Sequence, residues 1–132
     1  MFNIYKLTNK SEWSKLFKKL PKNQQDIYYN PEYYALYQQN GDGEANCFVF
    51  EKNEDIILYP FLKNSINKLG YRLDCEYFDI QGVYGYNGII TSSEDETLLN
   101  EFHSYFDNFC IENNIIAEFT RFHPLLNNHL FA

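Results

Sequence analysis

Closely spaced cysteines are missing from this chain. Its three cysteines, Cys47, Cys75 and Cys110, are odd in number and far apart. No CxxC pair exists, which excludes a zinc knuckle and a thioredoxin-type motif. The simple expectation is free buried thiols in a reducing compartment. Basic charge is scarce too. Eleven Lys and Arg face 18 Asp and Glu, for a net charge of −7. A nucleic-acid duplex needs a basic face to release counterions, so no DNA partner is expected. An anionic membrane surface is disfavoured for the same reason. The one basic cluster, "KLFKKLPK" from Lys15 to Lys22, reads as the solvated face of a short helix. Long apolar runs are absent. "IILYPFL" is too short to cross a bilayer, and "MFNIYKLTNK" has no apolar core of a signal peptide. These absences predict a cytoplasmic, soluble protein with no transmembrane segment. Metal-ligand spacing and Ser-His-Asp or Cys-His nucleophile arrangements are not found either.

What the chain has in quantity is aromatic surface. Phe, Tyr and Trp make up 19% of its 132 residues, with 12 Tyr and 12 Phe. The length suits one domain, residues 1–132, with a core that needs no staples. Many tyrosines should sit half-buried, ring inward and hydroxyl outward. Such a pattern fits an aromatic core, and it also fits a groove for a sugar or peptide.

"FNIYKL" predicts a short strand. "SEWSKLFKKL" predicts a helix, with Trp13, Leu16, Phe17 and Leu20 on one stripe, Ser11 as cap and Pro21 as stop. Asn30 and Pro31 open a second helix at its cap and first turn, and Asn40-Gly41 closes it. Tyr33, Leu36 and Tyr37 share a face of that helix. "CFVFE", the polar turn "KNED" and "IILYPFL" predict a hairpin, with a bulge or an edge at Pro60. A strand near Tyr77 to Ile80 leads into the glycine-rich loop "QGVYGYNGIIT". Ser93 and Glu96 form a capping box for the longest helix, "DETLLNEFHSYFDNFCIEN". "IIAEFTRF" closes the series as a strand. The order is β-α-α-β-β-β-α-β. A long helix between two strands predicts a right-handed parallel crossover. The fold class is therefore α/β, or mixed α+β: a mixed sheet with helices on both faces.

Four blocks in order, "DIYYNPEYYALY", "FVFEKNEDIILYPFL", "YFDIQGVYGYNGII" and "IIAEFTRFHPLL", resemble the N-terminal half of a FemAB-like acyltransferase with a partial GNAT-like fold. The blocks cover most of Asp26 to Leu126. The resemblance implies transfer of an acyl or aminoacyl group to an amine, on a cell-wall precursor or other amine-bearing small molecule. It implies acyl-CoA or aminoacyl-tRNA as donor for the intact family. It also implies that this chain is incomplete alone, with either a missing C-terminal half or a homodimer in its place. The family's Q/R-x-x-G-x-G/A turn is not matched. Gln81 is followed by Gly82, Val83, Tyr84, Gly85 and Tyr86, so the glycine register differs. No cofactor site is expected here.

Three stretches carry the candidate site. In "EFTRFHPLL", alternation puts Glu118, Thr120 and Phe122 on one face and Ala117, Phe119 and Arg121 on the other. Arg121 and His123 lie at a strand end, where ligands of open α/β sheets gather. The alternatives are a buried arginine paired with an acid and a surface histidine. The stretch as a whole is expected to be a buried strand at the centre of a larger enzyme's fold, with its end near that enzyme's cleft. In "YGYNG", Gly85 and Gly88 let the backbone approach a ligand, and Tyr84 and Tyr86 offer stacking faces. The alternative is a plain turn. Asp26, Tyr28, Tyr29 and Glu32 line either an acceptor groove or the capped start of a half-buried helix. The non-catalytic alternative for the whole chain is a binding or dimerisation module with an exposed sheet edge.

Overall fold

The computed structural model describes all 132 residues. Six strands form one mixed sheet: β1 (Phe2–Lys6), β2 (Glu44–Lys52), β3 (Asp55–Ser65), β4 (Phe78–Gln81), β5 (Ile90–Thr91) and β6 (Ile115–Phe119). Its order is β1-β2-β3-β4-β6, with β5 also paired to β3. The helices are α1 (Lys10–Phe17), α2 (Pro31–Gln39) and α3 (Glu96–Glu112). No helix is long and apolar enough to cross a membrane.

β2 and β3 are apolar at successive positions because both of their faces are covered. Ala45, Cys47, Val49, Leu58 and Leu62 face α1 and α2, beside Trp13, Phe17 and Tyr34. Phe48, Phe50, Ile57, Tyr59 and Phe61 face α3, beside Phe102, Phe106 and Phe109. Small and aliphatic residues fill one layer, and aromatic rings the other. The Phe106 ring alone lies 5.1 to 6.4 Å from those of Phe48, Tyr59, Phe102, Phe109 and Phe61. Helices on both faces and the parallel β4–α3–β6 unit are as expected from the pattern.

Several local expectations are corrected. β5 adds a strand to the expected order, inside the glycine-rich loop. α1 starts at Lys10 and ends at Phe17, ahead of Pro21, and Ser11 does not cap it. α3 is capped by Asp95, whose carboxylate accepts from Thr97 N. Ser93 instead accepts from Asp95 N, two residues earlier. On α2, Asn30 and Pro31 act as expected, but Tyr34 is the fully buried residue and Leu36 is exposed. Pro60 lies inside an interior strand, with no bulge between β2 and β3. It is tolerated because β5 pairs with Ile57 and Leu58, and β4 pairs from Leu62 onward. The sheet therefore splits at Pro60, where no ladder donor is needed. Its carbonyl accepts from Tyr34 Oη at 3.1 Å. The largest correction concerns β6. Expected as a buried strand reaching Phe122, it ends at Phe119, forms the sheet edge of this chain, and only Ile115 is buried.

Candidate functional site

β4 and β6 run parallel and end together at Gln81 and Phe119. A cleft of about 350 Å³ opens at these ends. Leu62, Val83 and Phe119 supply its apolar wall. Tyr37 and Asp42, from the end of α2 and the turn after it, also line it. Tyr84, Gly85, Asn87 and Arg121 complete the lining. The position follows from topology. The crossover helix leaves the strand ends uncovered.

The loop that lines this cleft is tied down by side chains. Asn87 Nδ2 donates to Val83 O at 3.1 Å, and its Oδ1 accepts from Arg121 N at 2.5 Å. Its own N–H donates to Arg121 O at 2.7 Å. A Cβ on Gly82 would stand 1.9 Å from the Asn87 side chain, so only glycine lets Asn87 fold over that position. Asn128 is fully buried behind the loop. Its Oδ1 accepts from His123 N at 2.8 Å, and its Nδ2 donates to Asn87 O at 2.9 Å and Ile89 O at 3.2 Å.

Tyrosine hydroxyls continue the same work. Tyr29, Tyr33 and Tyr34 donate to the carbonyls of Asn87, Tyr84 and Pro60. A phenol suits this task because its ring packs in the core while its tip satisfies a backbone acceptor. Burial pushes the Tyr29 and Tyr34 phenols above their ordinary value of 10.0. Tyr33 is pushed up to about 12, by burial first and by its hydroxyl contact with Tyr37 second.

The expected site residues separate into groups. Tyr84, Gly85 and Arg121 line the cleft. Arg121 is exposed and forms no ion pair. The expectation of a buried, acid-paired arginine is thereby corrected. Tyr86 and His123 lie together on the other side of the loop, ring centroids 4.9 Å apart. His123 is buried, and its Nε2 lies 2.9 Å from Asp26 Oδ2. Leu125 N donates to its Nδ1 at 3.1 Å. The ring is therefore the Nε2–H tautomer, donating to Asp26. It latches the segment before α2 to the segment that follows β6. Gly88 is also buried, against Asn128 and Phe122.

The third stretch does not form a groove. Tyr29 is core, Glu32 pairs with Lys10 on the surface, and Tyr28 packs edge-on against Tyr86. Alternation along "EFTRF" holds: Tyr59 Oη bonds both Glu118 and Thr120, while Phe119 and Arg121 turn to the cleft. Burial, with Glu118 beside it, pushes the Tyr59 phenol well above its ordinary value. This face borders a second cavity of about 190 Å³ with His103, Asp107 and Phe131.

Asp42, Tyr37, Asn87 and Asn128 escaped the sequence reading. Asp42 sits in "NGDG", which reads only as a helix stop, and the two asparagines carry no local signal. The residues do not fit a pyrophosphate. α3 begins well beyond the cleft loop, and Glu94, Asp95 and Glu96 crowd its start with negative charge. No group of His, Cys, Asp and Glu is arranged to hold a metal ion. Comparison of the chain with protein-family models, with curated proteins and with solved structures gave no match.

Proposed function

We propose that this chain is the acceptor-binding part of an N-acyltransferase of the GNAT or FemAB-like type. It holds an amine-bearing molecule, such as a cell-wall precursor, in the cleft at the ends of β4 and β6 while an acyl or aminoacyl group is transferred. One observation carries this reading. The loop and strand end that bear the resemblance, Tyr84, Gly85 and Arg121, converge on an open cleft at the parallel strand ends. A neutral amine is already nucleophilic, so the protein's task is to orient it. The donor, acyl-CoA or aminoacyl-tRNA, is held outside this chain's own cleft, because the start of α3 is acidic and distant from it.

Thermal melting of the full chain tests the reading. An amine-bearing ligand at a hundred times its Kd stabilises by about 2.7 kcal/mol and raises Tm by several degrees. Acetyl-CoA is expected to leave Tm unchanged. Failure of every amine tested to shift Tm or to perturb the NMR signals of Tyr84, Gly85 and Arg121 overturns the proposal.

A specific observation favours a second reading, a dimerisation module. β6 is an open edge, with Ile116 61% and Phe119 64% exposed beside it. Sedimentation decides: a dimer abolished by Ile116→Lys, without amine binding, supports it, and a wild-type monomer refutes it.

A further inference from the structure

We infer that the cleft recognises a ligand bearing both a free carboxylate and a free ammonium group, an amino acid or short peptide. Arg121 takes the carboxylate and Asp42 the amine, which binds as an ammonium and is nucleophilic only once it has lost a proton. The inference rests on the amine-binding reading above and narrows its substrate class, away from amino sugars. Arg121 and Asp42 line one cavity, yet they form no ion pair with each other or with any other residue. Two opposite charges that line one cavity without pairing with each other match a zwitterion, whose charged groups are also kept from neutralising one another. A guanidinium offers a planar fork that fits a carboxylate with two parallel hydrogen bonds. An amino sugar leaves that fork without a partner.

Both charges stand on fixed backbone. Asn87 holds the Arg121 backbone from both its N–H and its carbonyl. Asn64 Nδ2 donates to Asp42 O at 2.9 Å, and Asn40 Nδ2 to its carboxylate at 3.1 Å. Asn40 occupies one carboxylate oxygen, and the other is left for a ligand. Leu62, Val83 and Phe119 give a side chain an apolar wall. The volume of about 350 Å³ suits a dipeptide-sized ligand. The net charge of −7 sharpens the argument. The field of the whole chain repels anions, so a carboxylate needs a local guanidinium to be held at all.

Calorimetry on the full chain tests this with L-alanyl-L-alanine, its C-terminal amide, its N-acetyl derivative and glucosamine. Amidation is expected to weaken binding on the order of tenfold or more, since a charge-assisted bond to Arg121 is lost. Acetylation is expected to weaken it similarly through Asp42. Arg121→Gln should erase the amidation penalty and keep the acetylation penalty, and Asp42→Asn should do the reverse. Circular dichroism confirms that each variant is folded. Equal binding of the amide and the free dipeptide, or of glucosamine, overturns the carboxylate inference while the amine reading stands. Binding by none of the four at up to about 10 mM overturns both.

Discussion

Asn128→Ala tests whether one buried amide secures the cleft loop. The wild-type side chain is fully enclosed. Its partners are His123 N, Asn87 O, Ile89 O and the Tyr29 hydroxyl. Two of them survive its loss, because Tyr29 Oη still donates to Asn87 O at 3.3 Å. The other two do not. His123 N–H and Ile89 O have no further partner, so truncation strands one donor and one acceptor away from water. Each stranded group costs about 1–3 kcal/mol. The expected loss is about 2–6 kcal/mol, a large fraction of a typical domain stability of about 5–15 kcal/mol. Urea unfolding gives the free energy directly, and hydrogen exchange at the His123 amide reports the local opening. Asn128→Asp keeps the acceptor for His123 N–H but turns a carboxylate toward two carbonyls, so it is expected to be no better tolerated than alanine. A loss below about 1 kcal/mol for Asn128→Ala refutes the reasoning, because it means water reaches these groups.

Other perturbations probe the same framework. Gly85 has φ +109° and its missing Cβ would stand 2.3 Å from the Tyr28 ring, so Gly85→Ala is expected to cost about 1–3 kcal/mol in a urea melt. A second change, Tyr28→Ala, relieves the clash but not the backbone strain, so recovery in the double variant is partial. Burial raises the phenols of Tyr29, Tyr34 and Tyr59 above 10.0. Below that pH both folded and unfolded chains keep these protons, and the full stability is present. As pH rises through about 10 the unfolded chain sheds them while the folded chain holds them, so stability falls by about 1.4 kcal/mol per pH unit for each tyrosine. Tyr59→Phe should make the alkaline limb of a stability–pH curve shallower, and an unchanged slope contradicts the assignment. Phe106→Ala is expected to cost about 3–5 kcal/mol by equilibrium unfolding, since it empties the centre of the α3-facing ring cluster.

Local chemistry made much of the fold legible. The apolar stripe through Trp13, Leu16 and Phe17 marks α1, the Asn30-Pro31 step marks the start of α2, and the polar turn between two apolar runs marks the β2–β3 hairpin. These signals act between residues close in sequence, so reading them needs no knowledge of the rest. The cap of α3 was misplaced because Ser93 and Asp95 both satisfy the same local rule, and only the path of the loop chooses between them. β5 was missed because two residues carry no periodicity. They become a strand only when the edge of β3 lies beside them.

The candidate site divides the same way. The sequence by itself determined that "YGYNG" bends close to something and that Arg121 and Phe119 share a face. Residue types and alternation alone settle those points. Tertiary structure decided what each one meets. It set His123 against Asp26, 97 positions away, and turned both from a cleft wall into a latch. It left β6 at the sheet edge and largely exposed, where an apolar sequence had suggested burial, because hydrophobicity reports a preference for burial and not the neighbour that provides it. It brought Asp42, from a helix stop, and Arg121, from just beyond a strand end, to line one cleft. No local rule links those two residues, since only the packing of α2 against the sheet brings them into one cavity.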